Sequence, residues 1–210
     1  MVRFKLLILI VCINFIGFAQ NAQRKFENIT NHSSFVEVKT NDGIYRFQPY
    51  GNEIIETSFI PTGETFNPNS HAVVLKPEIV KIKIIKTSNF TEIKMKDISV
   101  KITHSPFQVS YYYEDNLLTS EKNGYSKNDE YEVLDFNLTS DEILMGGGAR
   151  ALGMNRRGNR LELYNKAHYG YETRSELMNF TMPLVYSSKK YAIHFDNAPI
   201  GYLDLDSKNN

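Results

Sequence analysis

Apolar and polar positions alternate along most of this chain with the period of a strand, and little of it repeats at the period of a helix. In "ISVKIT", Ile98, Val100 and Ile102 fall on one side and Ser99, Lys101 and Thr103 on the other, the pattern of a sheet with one packed and one wet face. "FVEVK", with Phe35 and Val38 among polar neighbours, reads as a half-buried strand. Asn41-Asp42-Gly43 is a hairpin signal, and "GIYRFQ" follows it. "EIIETSFI" runs to Pro61, and a loop rich in Gly, Pro and Asn then extends to about Ser70. "IVKIKII", "TEIKMK" and "FQVSYYY" continue the theme, and "DNLLTSEKNGYSKNDEY" reads as a polar connector that turns at Gly124. "EYEVLDFNL", "DEILMGG", "NRLELYN", "MPLVYSS", "YAIHFDN" and "IGYLDL" supply the remaining strands. Roughly a dozen short strands with turn signals about every 8–12 residues predict an all-β sandwich or barrel, with no internal repeat.

The first twenty residues break this pattern. Arg3 and Lys5 precede an apolar run from Leu6 to Phe18, and Gly17-Phe18-Ala19 offers small residues for cleavage. Residues 1–20 are expected to be a signal peptide, cut near Ala19 or Gln20, and the run is too short to span a membrane comfortably. Cys12, the only cysteine, lies inside this leader behind Val11, which disfavours lipidation. Residues 21–210 then carry no thiol and no disulfide, so an exported domain must rest on its hydrophobic core. A secreted or periplasmic, bacterial location is the expectation. At 210 residues and zero formal net charge, the chain has room for one sizeable core and lacks the basic balance of a nucleic-acid binder.

The glycines of "MGGGARALGMNRRGNRLELYNKAHYGYE" suggest a phosphate loop, but the context excludes one. A dinucleotide fingerprint needs a helix to begin at the glycines, and Gly153, Asn155, Gly158 and Asn159 follow too soon. The Lys-Ser/Thr of the other nucleotide loop is absent. The run reads instead as a strand meeting a turn where backbones approach closely. Arg150, Arg156, Arg157 and Arg160 follow it, and such guanidinium groups fork onto carboxylates, either within this domain or on a neighbour.

The block Gly146–Asn197, with "MPLVYSS" and "YAIHFDN", resembles the end of the N-terminal β-sandwich domain of family 31 glycoside hydrolases. Gly146, Gly148, Arg150, Asn165, Pro183, Ser187, Asp196 and Asn197 carry the resemblance, and "FQPYGNEIIETSFIPTG" and "ISVKITHSPFQVSYYYEDNLLTSE" extend it upstream. Ala149 stands where that family often has Glu, and Ala167 where many members place an Asp beside the sugar site. The resemblance implies a mutarotase-like β-supersandwich over 21–210. It implies a parent enzyme acting on α-linked oligosaccharides by a retaining mechanism, as an α-glucosidase or 4-α-glucosyltransferase. It also implies a (β/α)8 catalytic domain absent from these residues as a partner.

On that resemblance Lys166, His168 and Tyr169 are the candidate substrate-binding residues, and Arg150, Arg156 and Arg157 the candidate barrel-packing residues. No catalytic residue is expected in this chain. The family's nucleophile motif contains a Trp, and this chain has none. Glu142, Glu162, Glu172 and Glu176 are better read as solvated charges. No metal or other cofactor is expected, since the five histidines lack ligand spacing and Asp204-x-Asp206 fails as a calcium loop at Lys208. Neither nucleic acid nor, after leader cleavage, a membrane is an expected partner. The rival reading is a stand-alone carbohydrate-binding or adhesion sandwich without catalysis.

Overall fold

The computed structural model describes residues 23–165, 170, 180–196 and 200–208, and over them it is built of strands with no helix. A four-stranded meander pairs β1 (Phe26–Asn31), β2 (Val36–Thr40), β3 (Gly43–Pro49) and β4 (Ile55–Pro61) in that order. A six-stranded meander pairs β5 (Lys83–Lys86), β6 (Phe90–Lys94), β7 (Ile98–His104), β8 (Phe107–Tyr113), β9 (Asn116–Lys127) and β10 (Glu132–Phe136). Five further strands are β11 (Leu144–Gly146), β12 (Asn159–Leu163), β13 (Leu184–Ser187), β14 (Tyr191–His194) and β15 (Gly201–Leu205). They form a three-stranded sheet in the order β11-β13-β14 and a two-stranded ladder of β12 with β15. Neighbouring strands are antiparallel throughout, as the all-β reading expects.

The two large sheets face each other across one core. Val36, Val38, Tyr45 and Phe47 from β2 and β3 meet Ile93, Val100, Ile102, Phe107 and Val109 from β6, β7 and β8. Fully burying side chains of this size stabilises by about 1.5–3 kcal/mol each relative to leaving them in water. A second core lies under the smaller sheets, where Leu144, Leu161, Val185, Leu203 and Leu205 pack with Leu138 and Phe195. The rings of Phe136 and Phe195 meet edge to face at 6.2 Å, joining the end of β10 to the second core.

Three local expectations change. In β2 it is Val36 and Val38 that face the core. Phe35 lies just before the strand, stacked on His32 and covered by the Arg46 guanidinium at 3.7 Å. In β7 Ser99 is buried as well as the three aliphatics, so the outer face is partly covered. The segment read as a connector is β9, the longest strand at 12 residues. Gly124 lies within it at φ +66°, where the register slips between the pairs Gly124–Asp135 and Glu121–Phe136. It is a bulge rather than a turn.

That bulge brings Glu121 into the space between the large sheets. Arg24 makes an ion pair with Asp42 at 2.8 Å and donates through Nη1 to the Tyr45 hydroxyl at 2.7 Å. Tyr45 donates in turn to Glu121 Oε2 at 2.8 Å, and the Tyr111 hydroxyl lies 3.1 Å from Glu121 Oε1. Arg24 also covers the Phe59 ring at 4.2 Å and reaches the Tyr125 carbonyl at 2.9 Å. A methyl group on Gly124 would stand 2.6–2.9 Å from Arg24 Nη1, Tyr45 Oη and Glu121 Oε2. The bulge therefore needs a residue without a side chain.

Burial pushes the Glu121 carboxyl up to about 7, against the pull of its two tyrosines and of Arg24. A carboxyl held above its unfolded value of 4.5 binds its proton more tightly in the native state. Its contribution is full below about pH 4.5 and is lost as pH rises through about 7. Replacing Glu121 with Gln removes this titration. Urea unfolding of the chain and of Glu121→Gln should show the parent losing on the order of 3 kcal/mol relative to the variant between about pH 4.5 and 8. Parallel pH profiles would overturn the assignment.

Candidate functional site

The glycine run sits where β11 leaves the second core. Gly146, Gly147 and Gly148 all adopt positive φ, at +112°, +77° and +88°. A methyl group on Gly146 would stand 2.1 Å from the Leu184 carbonyl oxygen, and one on Gly148 2.6 Å from that of Phe180. Gly147 donates to Leu184 O at 2.9 Å and Ala149 to Phe180 O at 3.0 Å, so the turn is laced to the chain entering β13. The sequence reading of a close backbone approach describes this geometry.

The three candidate packing arginines lie around this turn. Arg150 is buried and donates to Gly147 O at 3.1 Å and Glu162 O at 2.6 Å. Arg157 pairs with Asp206 at 2.8 Å and donates to the Thr139, Ser140 and Glu142 carbonyls. Both therefore make bonds within the chain. Arg156 is buried as well, and its Nη1 has no acceptor among the described residues. Arg160 lies over the Tyr202 ring at 4.2 Å.

Glu142 is not a surface charge. It is buried, and its carboxylate accepts from Ser187, Tyr191 and the Thr139 amide. Burial first, and this hydrogen bond next, push the Tyr191 phenol up to about 12. With every oxygen of its carboxylate engaged, Glu142 holds the 139–142 turn against β13 and β14. Such a group braces the fold.

The candidate binding place lies at the foot of the segment that follows β12. Asn165 Oδ1 accepts from both the amide and the hydroxyl of Thr181, at 2.5 and 3.0 Å. This double bond closes the two ends of the intervening segment onto each other. Lys166, His168 and Tyr169, as well as Ala167, Glu172, Glu176 and Asn197, lie outside the described residues. Beside Thr181 opens a cleft of about 670 Å³. Asn67, Asn69 and His71 line it from one side, and Phe180, His194 and Asp196 from the other. Asn67 and Ser70 accept backbone amides two or three residues on, which shapes that loop from its own side chains.

Phe180 is 48 % exposed, so a ring face stands beside amide, imidazole and carboxylate groups. An aromatic face with mixed donors and acceptors suits a ligand that is apolar on one face and hydroxylated at its edge. His71 and His194 were read from sequence as scattered, and the fold brings both to this cleft. More than 100 residues separate its two sides along the chain, so no local pattern could have announced it. Among the described residues no cluster of three or more His, Cys, Asp or Glu side chains could hold a metal ion.

Residues 40–204 match the glycosyl hydrolase 31 N-terminal galactose mutarotase-like domain. The chain belongs to that family. The match begins at the end of β2 and covers the rest of both large sheets and the glycine turn, and it agrees with the resemblance carried by Gly146, Gly148 and Arg150. A search among curated proteins finds no match. Among solved structures, the Flavobacterium johnsoniae family 31 dextranase complexed with glucose superimposes with a TM-score of 0.79 at 19 % identity, over 88 % of this chain and 24 % of that one. The cycloalternan-forming enzyme of Listeria monocytogenes, in complex with a pentasaccharide substrate, gives 0.70 at 19 % identity, over 88 % and 18 %. A family 31 α-xylosidase from a soil metagenome, complexed with xylose, gives 0.69 at 17 % identity, over 86 % and 29 %. The chain thus spans about a quarter of the dextranase's length.

Two glycines separate conformational strain from collision. Gly158 has φ +85° with open space around it, whereas Gly146 combines positive φ with the Leu184 carbonyl. Gly158→Ala should cost about 1 kcal/mol and Gly146→Ala more than about 3 kcal/mol in urea unfolding. Equal losses would show that the close approach does not constrain the turn.

Proposed function

We propose that this chain is the N-terminal part of a secreted family 31 glycoside hydrolase that cleaves or transfers α-linked glucosyl units with retention of configuration. The domain supplies a packing surface to a (β/α)8 catalytic domain and one loop to the sugar site. The family match over residues 40–204 carries the reading. Support comes from the bound sugars of the dextranase and the cycloalternan-forming enzyme, whose chains are four or more times as long as the aligned part. The loop begins at Asn165, whose bond to Thr181 anchors its base. Lys166 and His168 would donate to sugar hydroxyls, and Tyr169 would offer a ring face. The two carboxylates of a retaining reaction, about 5–5.5 Å apart, belong to the catalytic domain in this reading.

A second reading, a sugar-binding sandwich without catalysis, is favoured by the exposed Phe180 ring in a polar cleft. One experiment separates the two. The gene is read past the codon for Asn210, and its whole product is assayed on isomaltotriose and p-nitrophenyl α-glucoside with the product anomer followed by NMR. Cleavage with the α-anomer appearing first is expected. In that product Tyr169→Ala should lower transfer to an acceptor sugar about tenfold while sparing donor cleavage. Isomaltotriose binding with no cleavage would favour the second reading and sink the first.

A further inference from the structure

We propose that the two large sheets form a guanidinium-binding socket between them, and that residues 23–25 are a strap whose Arg24 side chain is the exchangeable occupant. The contacts around the cation define the socket. Asp42 accepts from Nε at 2.9 Å and pairs with Nη2 at 2.8 Å. The Tyr45 hydroxyl accepts from Nη1 at 2.7 Å and the Tyr125 carbonyl from Nη2 at 2.9 Å. Every nitrogen of the group therefore meets oxygen. Its Cζ lies 4.2 Å from the centre of the Phe59 ring, with the Tyr45 and Phe107 rings at 5.4 and 5.9 Å. Oxygen at the edge and ring carbon on the face match a planar cation that donates from its rim. An ammonium ion, a compact point charge, cannot meet both.

The strap supplies none of this lining. Tyr45 and Phe59 come from β3 and β4, Phe107 and Tyr125 from β8 and β9, and Asp42 from the hairpin between β2 and β3. Each is set by something other than Arg24. Tyr45 and Phe107 belong to the core between the sheets, and Tyr45 donates to Glu121 at 2.8 Å. Asp42 accepts from the Thr40 hydroxyl at 2.8 Å. A methyl group on Gly124 would stand 2.6 Å from Nη1, so the bulge leaves the backbone hollow where the cation sits. Asp42 and Glu121 both act on Arg24 as negative charge. The socket therefore keeps its shape and its charge when the side chain that fills it is removed.

The same geometry gives the socket a mouth. The Arg24 side chain is 2 % exposed, whereas that of its partner Asp42 is 40 % exposed, so the site opens to water on the Asp42 side. The strap lies across this opening on exposed bonds. The Lys25 amide donates to Asn41 Oδ1 at 2.6 Å, and Asn41 Nδ2 donates to the Gln23 carbonyl at 3.2 Å. Water can replace such bonds at little net cost. A free guanidinium ion can thus enter where the strap leaves.

The test uses the whole chain carrying Arg24→Ala, titrated with guanidinium chloride and, for comparison, with ammonium and sodium chloride. Guanidinium should shift the amide signals of Tyr45 and Gly124 with a Kd in the millimolar range, the reach of so small a ligand. At about 20 mM it should raise the Tm of the variant by about 3 °C. Ammonium should do neither, and the parent, its socket filled, should respond to neither. Arg24→Lys, which keeps the charge and loses the fork, should melt closer to Arg24→Ala than to the parent. If Arg24→Ala is unfolded in sodium chloride, guanidinium should restore its tyrosine circular dichroism. In the parent, the Arg24 Nε–H should exchange with water on the order of a hundredfold more slowly than that of a surface arginine. Equal responses to guanidinium and ammonium, an equal response in the parent, no recovery of an unfolded variant, or fast exchange at Arg24 each overturns the proposal.

Discussion

A carboxyl group that water would otherwise keep is held between the two large sheets by two phenols and one guanidinium. Glu121 reaches its place only because β9 bulges at Gly124, and it stays there only because Tyr45 and Tyr111 donate to it from opposite sheets. Arg24, which precedes β1, extends the chain of bonds to Asp42 and to the Tyr125 carbonyl. The apolar core around it would tolerate small shifts of one sheet over the other, because dispersion contacts are not directional. The polar chain does not, because each hydrogen bond has a direction and each unpaired buried group a cost of about 1–3 kcal/mol. The register of the sandwich is thus tied to a few atoms.

The smaller sheets use the same logic at another scale. Three consecutive glycines let β11 turn against the backbone entering β13, and Glu142, Arg150 and Arg157 take up the carbonyls, hydroxyls and amides left around it. The result is a stiff frame from which the segment after Asn165 departs and to which it returns at Thr181.

Strand type was legible wherever one face of a strand is apolar, as in β7 and β13, and the close-packed glycine turn was legible from composition. The longest strand, β9, was not. Its core-facing positions include Thr119 and Glu121, and a buried carboxylate looks like a loop residue until its partners are known. Of those partners Tyr111 is on the preceding strand, β8, but Tyr45 lies on β3, 76 residues away. Phe35 misled for a related reason, since its ring is covered by Arg46 from β3 rather than by the core. The resemblance named the family, and residues 40–204 match it. At the site, Gly146 and Gly148 make the close backbone approach that their composition suggested. His71, Phe180 and His194 gave no warning because only the fold makes them neighbours.

Both large sheets are meanders, each strand hydrogen-bonded to the strand next to it in the chain. Their ladders can therefore form by closing short loops, which is fast, whereas Arg24 meets the Tyr125 carbonyl across 101 residues. Each sheet can assemble on its own clock before the two dock. Docking then strips the water from Glu121 in the same act that joins the apolar faces. The contacts that join the two sheets close some of the longest loops in the fold, and so carry a large share of its closure entropy.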